Sequence, residues 1–217
     1  MSGHPRVLAV PPGSAAEAAA AGAQAIARGQ LIVMPTDTVY GLAGDAHNPD
    51  AIAHIYEAKG RPEHTALPVL VASAQDALRL IGGDARPEAK HLFERFWPGA
   101  LTVVVPRSEA VPPAVTAGRP TVGLRVPDSD LARAIIAACG GVLATTSANL
   151  SGRPPACDVA ELPAELLAHV AVVIDAGRCP GGMSSTVVDL SASPPRVLRA
   201  GPIPADGLRE VLPELVG

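Results

Sequence analysis

Leu31-Ile32-Val33-Met34-Pro35-Thr36-Asp37-Thr38-Val39-Tyr40-Gly41-Leu42 is the stretch on which the reading of this chain turns. Four apolar residues stopped by a proline read as a short buried strand. The proline then releases two threonines and an aspartate. In layered α/β sheets, ligands bind where strands give way to loops. Hydroxyls and a carboxylate there suit a small polar molecule. They equally suit turn chemistry, in which Thr and Asp bond their own backbone.

The flanking patterns alternate. Upstream, Ser14 with Glu17 resembles a capping box before an alanine-rich helix over 14–28, ended by Gly29. Downstream, 49–59 reads as a helix with Ile52, Ile55 and Tyr56 on one face and Gly60 as its stop. The pattern continues with a strand at 68–72, helices at 73–80 and 87–96, and strands at 101–105 and 122–126. Asp128 is expected to cap a helix reaching Cys139. Strands near 142–145, 171–174, 185–190 and 196–199, a helix near 158–167 and a weaker one near 205–212 complete the series. Such alternation predicts an α/β layered domain. The segment from Pro106 to Pro120, with Pro112 and Pro113 inside it, is expected to be a mobile cover beside the pocket, against the alternative of a rigid surface connection.

Composition narrows the function classes. The chain has 217 residues, 48% hydrophobic and 18% charged, which fits one globular domain and excludes a disordered chain. Aromatics at 2% argue against an RNA surface built on stacked rings. A net charge of −4 argues against a generally basic nucleic-acid binder. Three cysteines without a C-x-x-C read as reduced thiols rather than a disulfide framework or zinc cluster. Met1 to Val10 shows no apolar signal core, and no apolar run is long enough to span a membrane, so a cytoplasmic location is expected.

Three further polar clusters stand at expected element ends. Lys59-Gly60-Arg61-Pro62 closes a helix. Two cations there meet the helix dipole favourably; they also make a phosphate clamp, Lys as point charge and Arg as fork. Ala144-Thr145-Thr146-Ser147-Ala148-Asn149-Leu150-Ser151-Gly152 follows an apolar strand and is dense in small donors, suited to an anion or to an ordinary loop. Gly181-Gly182-Met183-Ser184-Ser185-Thr186 leads into a strand, and its glycines permit close backbone approach. Arg125 and Arg199 each end a strand. No G-x-x-x-x-G-K-[ST] and no G-x-S-x-G occurs, which excludes a P-loop and a hydrolase elbow.

Taken together, these motifs resemble the YrdC family, whose well-understood members are L-threonylcarbamoyladenylate synthases. The matching residues are Pro35 to Leu42, Lys59-x-Arg61-Pro62, Phe96-Trp97-Pro98-Gly99, Val122-Gly123-Leu124-Arg125-Val126-Pro127, Ser147 to Gly152, Ser185-Thr186-Val187-Val188-Asp189-Leu190 and Leu198-Arg199. They run in family order across about 14–202, so 1–217 is expected to be a single YrdC-like domain. Longer members carry an extra C-terminal domain; with only a short stretch after Gly201, none is expected here. The chain departs from the family pattern at Thr65-Ala66-Leu67, at Leu70 where some members have histidine, and at Ser184 where glutamate is common.

The resemblance implies a twisted open α/β sheet with flanking helices and a concave, positively charged face. It implies that threonine, bicarbonate and ATP, the last with Mg2+, give threonylcarbamoyl-AMP and pyrophosphate. A transfer complex then uses the product to modify tRNA beside the anticodon, with a weak tRNA contact. Lys59 and Arg61 would be catalytic. Lys59, Arg61, Thr65, Thr121, Ser147, Asn149 and Arg199 would hold ATP. Thr36, Thr38, Arg125, Thr145 and Ser185 would hold threonine. No dedicated metal site is implied. Truncating Lys59 or Arg61 is expected to spare the fold. The alternatives are a double-stranded RNA-binding module, a carbamoyl-transfer enzyme, or a paralogue of different activity.

Overall fold

Leu31–Met34 forms a strand in which every residue is buried, as a run without polar alternation requires. The computed structural model describes residues 4–11, 13–60, 65–83 and 86–217. In chain order the first elements are β1 (Arg6–Ala9), α1 (Ala15–Ala27), β2 (Leu31–Met34), β3 (Gly41–Asp45), α2 (Pro49–Lys59) and β4 (Val69–Val71). Next come α3 (Ala74–Leu80), α4 (Arg86–Phe96), β5 (Leu101–Pro106), α5 (Pro113–Thr116), β6 (Thr121–Arg125) and α6 (Asp130–Ala138). The chain ends with β7 (Val142–Ser147), α7 (Ala164–Leu167), β8 (Val170–Asp175), β9 (Thr186–Asp189), β10 (Arg196–Arg199) and α8 (Ala205–Arg209).

All ten strands join one open, twisted, mixed sheet in the order β1-β8-β2-β3-β7-β4-β6-β5-β9-β10. Strand alternation divides the core in two. Leu31, Val33, Leu42, Val69, Val103, Leu124 and Val188 point to one face, where α2, α3, α4, α7 and α8 cover them. Ile32, Met34, Ala43, Leu70, Leu143 and Ile174 point to the other, under α1 and α6. That second cluster takes nothing from β5, β6, β9 or β10 among the described residues. Half of the second face is therefore left without helical cover, and the cleft described below lies where the cover stops.

Several local expectations are corrected. Ser14 does not cap α1 through its side chain; its Oγ donates to Pro11 O at 2.5 Å. Ser129, not Asp128, caps α6, accepting from Ala132 N. Pro163 lacks an N–H, so the helix expected over 158–167 splits into a 3-10 turn at Val159–Glu161 and the short α7. The helix near 205–212 stops at Arg209. Three elements come as additions: β1, β3 and α5.

The proline segment after β5 is no cover. β5 and β6 pair antiparallel with Pro106 opposite Thr121, so the connection leaves at the end of β6 far from Arg125. It holds α5, buries Val111 and Val115, and accepts Leu67 N at Val115 O, 2.8 Å. Arg107 ties it shut through Arg119 O and Val111 O. None of its residues lines the cleft.

Candidate functional site

A cleft of about 470 Å³ opens above the ends of β2, β6, β7 and β10. Its first wall is the turn between β2 and β3. Thr36 Oγ1 donates to Val39 O at 2.7 Å and accepts the N–H of Thr38 and of Val39. The turn's own backbone thus fixes the hydroxyl, which lies 3.0 Å from Thr38 Oγ1. Behind the turn, Tyr40 donates from its hydroxyl to Gly177 O at 2.7 Å, and burial raises the pKa of this phenol.

Arg125 ends β6 in the floor. Its Nε donates to Gly99 O at 2.9 Å, Nη1 to Thr38 Oγ1 at 2.9 Å, and Nη2 to Asp37 Oδ1 at 2.6 Å. A guanidinium has five N–H groups, so two remain for a ligand. Burial lowers the Arg125 pKa and the adjacent Asp37 carboxylate opposes that fall; a guanidinium so placed stays charged.

Gly99, last of Phe96-Trp97-Pro98-Gly99, has no room for a side chain: a Cβ would stand 2.4 Å from Phe96 O. That motif therefore delivers a carbonyl to Arg125, supported by stacking of Phe93 on Trp97 and by Trp97 Nε1 donating to Leu101 O.

Lys59 reaches the opposite wall. It is 4% exposed, and its Nζ donates to Ser147 O at 2.7 Å and to Asn149 Oδ1 at 2.9 Å. Gly60 ends the helix at φ 56°, in the left-handed region that favours glycine. Asn149 Nδ2 donates in turn to Leu150 O and Arg153 O. The turn after β7 is thereby built around the ammonium. Ser147 O also accepts Asn149 N at 3.0 Å, and Asn149 Oδ1 also accepts Ser147 Oγ at 2.5 Å, so the ammonium shares both acceptors with donors of the turn itself.

Arg199 ends β10 and holds Ser185: Nε and Nη2 donate to Ser185 O at 3.0 and 2.8 Å, and Nη2 to Ser185 Oγ at 3.1 Å. Its pKa is lowered by burial first and by the charge of Arg125 second. Lys59, Arg125 and Arg199 are three cations facing one site against the Asp37 carboxylate, so an anion entering there is favoured.

Nine of the residues singled out by sequence line this cleft: Thr36, Thr38, Lys59, Arg125, Thr145, Ser147, Asn149, Ser185 and Arg199. Thr65 and Thr121 do not. Thr65 offers its carbonyl to Tyr56 at 2.8 Å. Thr121 opens β6 on the same face as Arg125, about 13 Å away along the strand. Arg61 lies outside the described residues. Asp37 and Thr102 were not singled out. Asp37 stood within the quoted turn, and Thr102 was signalled only as a lone hydroxyl in the apolar run 101–105. The departures Ala66, Leu70 and Ser184 all line the cleft. Among the described residues no cluster of His, Cys, Asp or Glu could hold a metal ion, and no helix is long and apolar enough to cross a membrane.

A mixed α/β sheet with a hydroxyl-lined cleft at its strand ends, into which three cations project, is an arrangement suited to small anionic molecules. The chain belongs to the Sua5/YciO/YrdC family, whose model, described as telomere recombination, matches residues 24–201. It is 37% identical over 190 residues to the threonylcarbamoyl-AMP synthase of Pyrococcus abyssi, covering 88% of this chain and 56% of that one. It is 41% identical over 189 residues to a putative threonylcarbamoyl-AMP synthase of Mycobacterium tuberculosis H37Rv, covering 87% and 86%. The structure of P. abyssi Sua5 complexed with L-threonine superposes with a TM-score of 0.89 at 34% identity, over 97% of this chain and 62% of that one. Escherichia coli YciO, at TM-score 0.79 and 24% identity, shares the fold. The chain thus spans little more than half of the Pyrococcus relative, and 53% of a Bacillus subtilis one.

Proposed function

We propose that this protein is a threonylcarbamoyl-AMP synthase, making that product and pyrophosphate from L-threonine, bicarbonate and ATP. One observation carries the reading: a buried, oriented guanidinium, Arg125, stands in a hydroxyl-lined cleft that also receives Lys59 and Arg199. Relatives bearing the synthase name, and one solved with L-threonine, support it.

The amino acid's carboxylate takes the two remaining N–H groups of Arg125 as a fork. Thr36, Thr38, Thr145 and Ser185 line its pocket. Lys59, Arg61, Ser147, Asn149 and Arg199 hold the triphosphate, with Thr65 contributing at the rim. Thr121 places the nucleoside along the uncovered face of β6. ATP enters as its magnesium complex, and the cation belongs to that substrate.

Threonine's amine and bicarbonate give an N-carboxylate and water. One N-carboxylate oxygen attacks the α-phosphorus, and the bond to the bridging oxygen breaks as pyrophosphate leaves. Anion must approach anion, so the residues act by positioning and by neutralising charge. Lys59 and Arg61 supply the charge nearest the transferring phosphate and in that sense are catalytic. The cations give the face its positive potential. The product passes to a threonylcarbamoyl-transferase complex in the cytoplasm for tRNA modification, with weak contact between this protein and tRNA.

The test is pyrophosphate release with each substrate omitted in turn. Release that needs threonine, bicarbonate and ATP together is expected. Salt-dependent binding of double-stranded RNA with no release would overturn the reading.

A further inference from the structure

Thr102 is the second residue of β5, between Leu101 and Val103, whose side chains enter the main core. Alternation turns Thr102 to the opposite face, onto the cleft floor, where it is 4% exposed. Its Oγ1 lies 2.8 Å from Ser185 Oγ. No assigned role involves it.

The hydrogen-bond arithmetic of this pair is restrictive. Arg199 Nη2 donates to Ser185 Oγ, and a guanidinium never accepts. The two hydroxyls carry two protons, and one is spent between them. One proton therefore remains, on Thr102 if Ser185 donates and on Ser185 if Thr102 donates. The pair is a single donor that turns toward whichever oxygen is presented to it.

Its place in the sheet identifies that oxygen. Val103 pairs with Leu124, which puts Thr102 beside Arg125 on the next strand. On the other side Thr102 pairs with Val187, and Val187 pairs with Arg199. The hydroxyl pair thus lies between the two guanidiniums, in one row across β6, β5, β9 and β10. Thr145, on β7, lies on the far side of Arg125.

We propose that the Thr102–Ser185 pair is the seat of the N-carboxylate derived from bicarbonate, and that Thr102 contacts it directly. This rests on the synthase reading. With the α-carboxylate on Arg125 and the α-phosphate toward Arg199, the atoms joining them in the product are the α-carbon, the nitrogen and the new carboxyl group. That group must pass over the hydroxyl pair. Its formation, R–NH2 + HCO3− giving R–NH–COO− + H2O, creates two acceptor oxygens, one of which takes the pair's remaining proton.

The experiment is steady-state pyrophosphate release by the full chain in carbon-dioxide-depleted buffer, with each substrate varied while the others saturate. Thr102→Val keeps the shape and removes the hydroxyl. Its KM for bicarbonate is expected to rise about tenfold, the weight of one hydrogen bond to a charged group. The ATP KM is expected to stay within about twofold, and the threonine KM to rise much less than that for bicarbonate, because Arg125 keeps its grip on the α-carboxylate. Thr102→Ser is expected to restore the bicarbonate KM. Should the valine variant fail to fold, Thr102→Ala is measured in its place. An unchanged bicarbonate KM, a threonine KM that rises as much, or a serine variant as impaired as the valine overturns the inference alone. Release by the unaltered protein that needs no bicarbonate overturns the synthase reading with it.

Discussion

Asp37 Oδ1 and Arg125 Nη2 close an ion pair at 2.6 Å with both side chains largely buried, 12% and 7% exposed. The pair joins the turn after β2 to the end of β6 across three intervening strands of the sheet, β3, β7 and β4. A carboxylate one residue from Thr38 thus sets the pose of the guanidinium, while Thr38 and Gly99 fix its remaining edges. Arg199 feels the same neighbourhood: burial first, and the charge of Arg125 second, lower its pKa. Asp37 is the counter-ion that lets two guanidiniums share one cleft.

Asp37→Ala is accordingly expected to destabilise the protein by about 3 kcal/mol, because it leaves a buried guanidinium unpaired. Chemical denaturation measures this. Arg125→Lys keeps the charge and loses the fork, so the KM for threonine is expected to rise far more than that for ATP. A rise confined to ATP would move Arg125 to the nucleotide.

Lys59→Ala is expected to weaken ATP use and to lower stability together. The ammonium donates to both Ser147 O and Asn149 Oδ1, and a hydrogen bond from a charged donor contributes about 1.5–3 kcal/mol. Asn149→Ala removes part of the same network. The double variant is therefore expected to lose less than the two single losses combined. Strict additivity in denaturation midpoints would show that the two side chains act independently.

Much of this was legible in the chain, for identifiable reasons. Leu31–Met34 and Leu101–Pro106 are apolar runs with abrupt stops, so their strands stand out. Gly41–Asp45 does not: two glycines and an alanine carry no strand preference, and β3 exists because β2 and β7 pair with it from both sides. The cleft's threonines and arginines were readable because they sit at strand ends. Thr102 was not, since a hydroxyl inside an apolar run declares its face only once the register is known. The proline segment misled because Arg125 follows it in sequence yet stands at the opposite end of β6.

Stability is expected to fall between about pH 9 and pH 11. Burial raises the thiol pKa of Cys139 and of Cys179 from 9.0 to about 11, and it raises the phenol of Tyr40 as well. A raised folded pKa means that the unfolded chain gives up its protons first. The contribution is thus complete below the unfolded thiol pKa and is lost as pH climbs toward the folded one. Urea midpoints at about pH 8 and about pH 10.5 test this, with Cys139→Ala/Cys179→Ala as the comparison. The double variant is expected to show the shallower loss; identical pH profiles would remove the thiols as its source.

Gly181→Ala is expected to damage threonine use although Gly181 itself does not line the cleft. Gly181 lies over the turn after β2, and Gly182 N donates to Thr38 O at 2.9 Å. A Cβ at Gly181 would stand 2.6 Å from Asp37 O and 2.9 Å from Thr38 Cα. Those are backbone atoms and cannot swing aside as a flexible side chain would. The turn must shift, and with it Thr38 Oγ1 and the Asp37 carboxylate that orient Arg125. Displacing a positioned group by about 1 Å can cost on the order of a hundredfold in rate. The loss is expected in kcat/KM for threonine, with the ATP KM nearly unchanged because Lys59 and Asn149 stand on the other wall. Gly182→Ala is the control: nothing lies within 4 Å of its Cβ, though its φ of 69° adds backbone strain. A lowered denaturation midpoint with threonine kinetics preserved is expected of Gly182→Ala. The same outcome for Gly181→Ala would show that the glycine serves folding and not the pose of the turn.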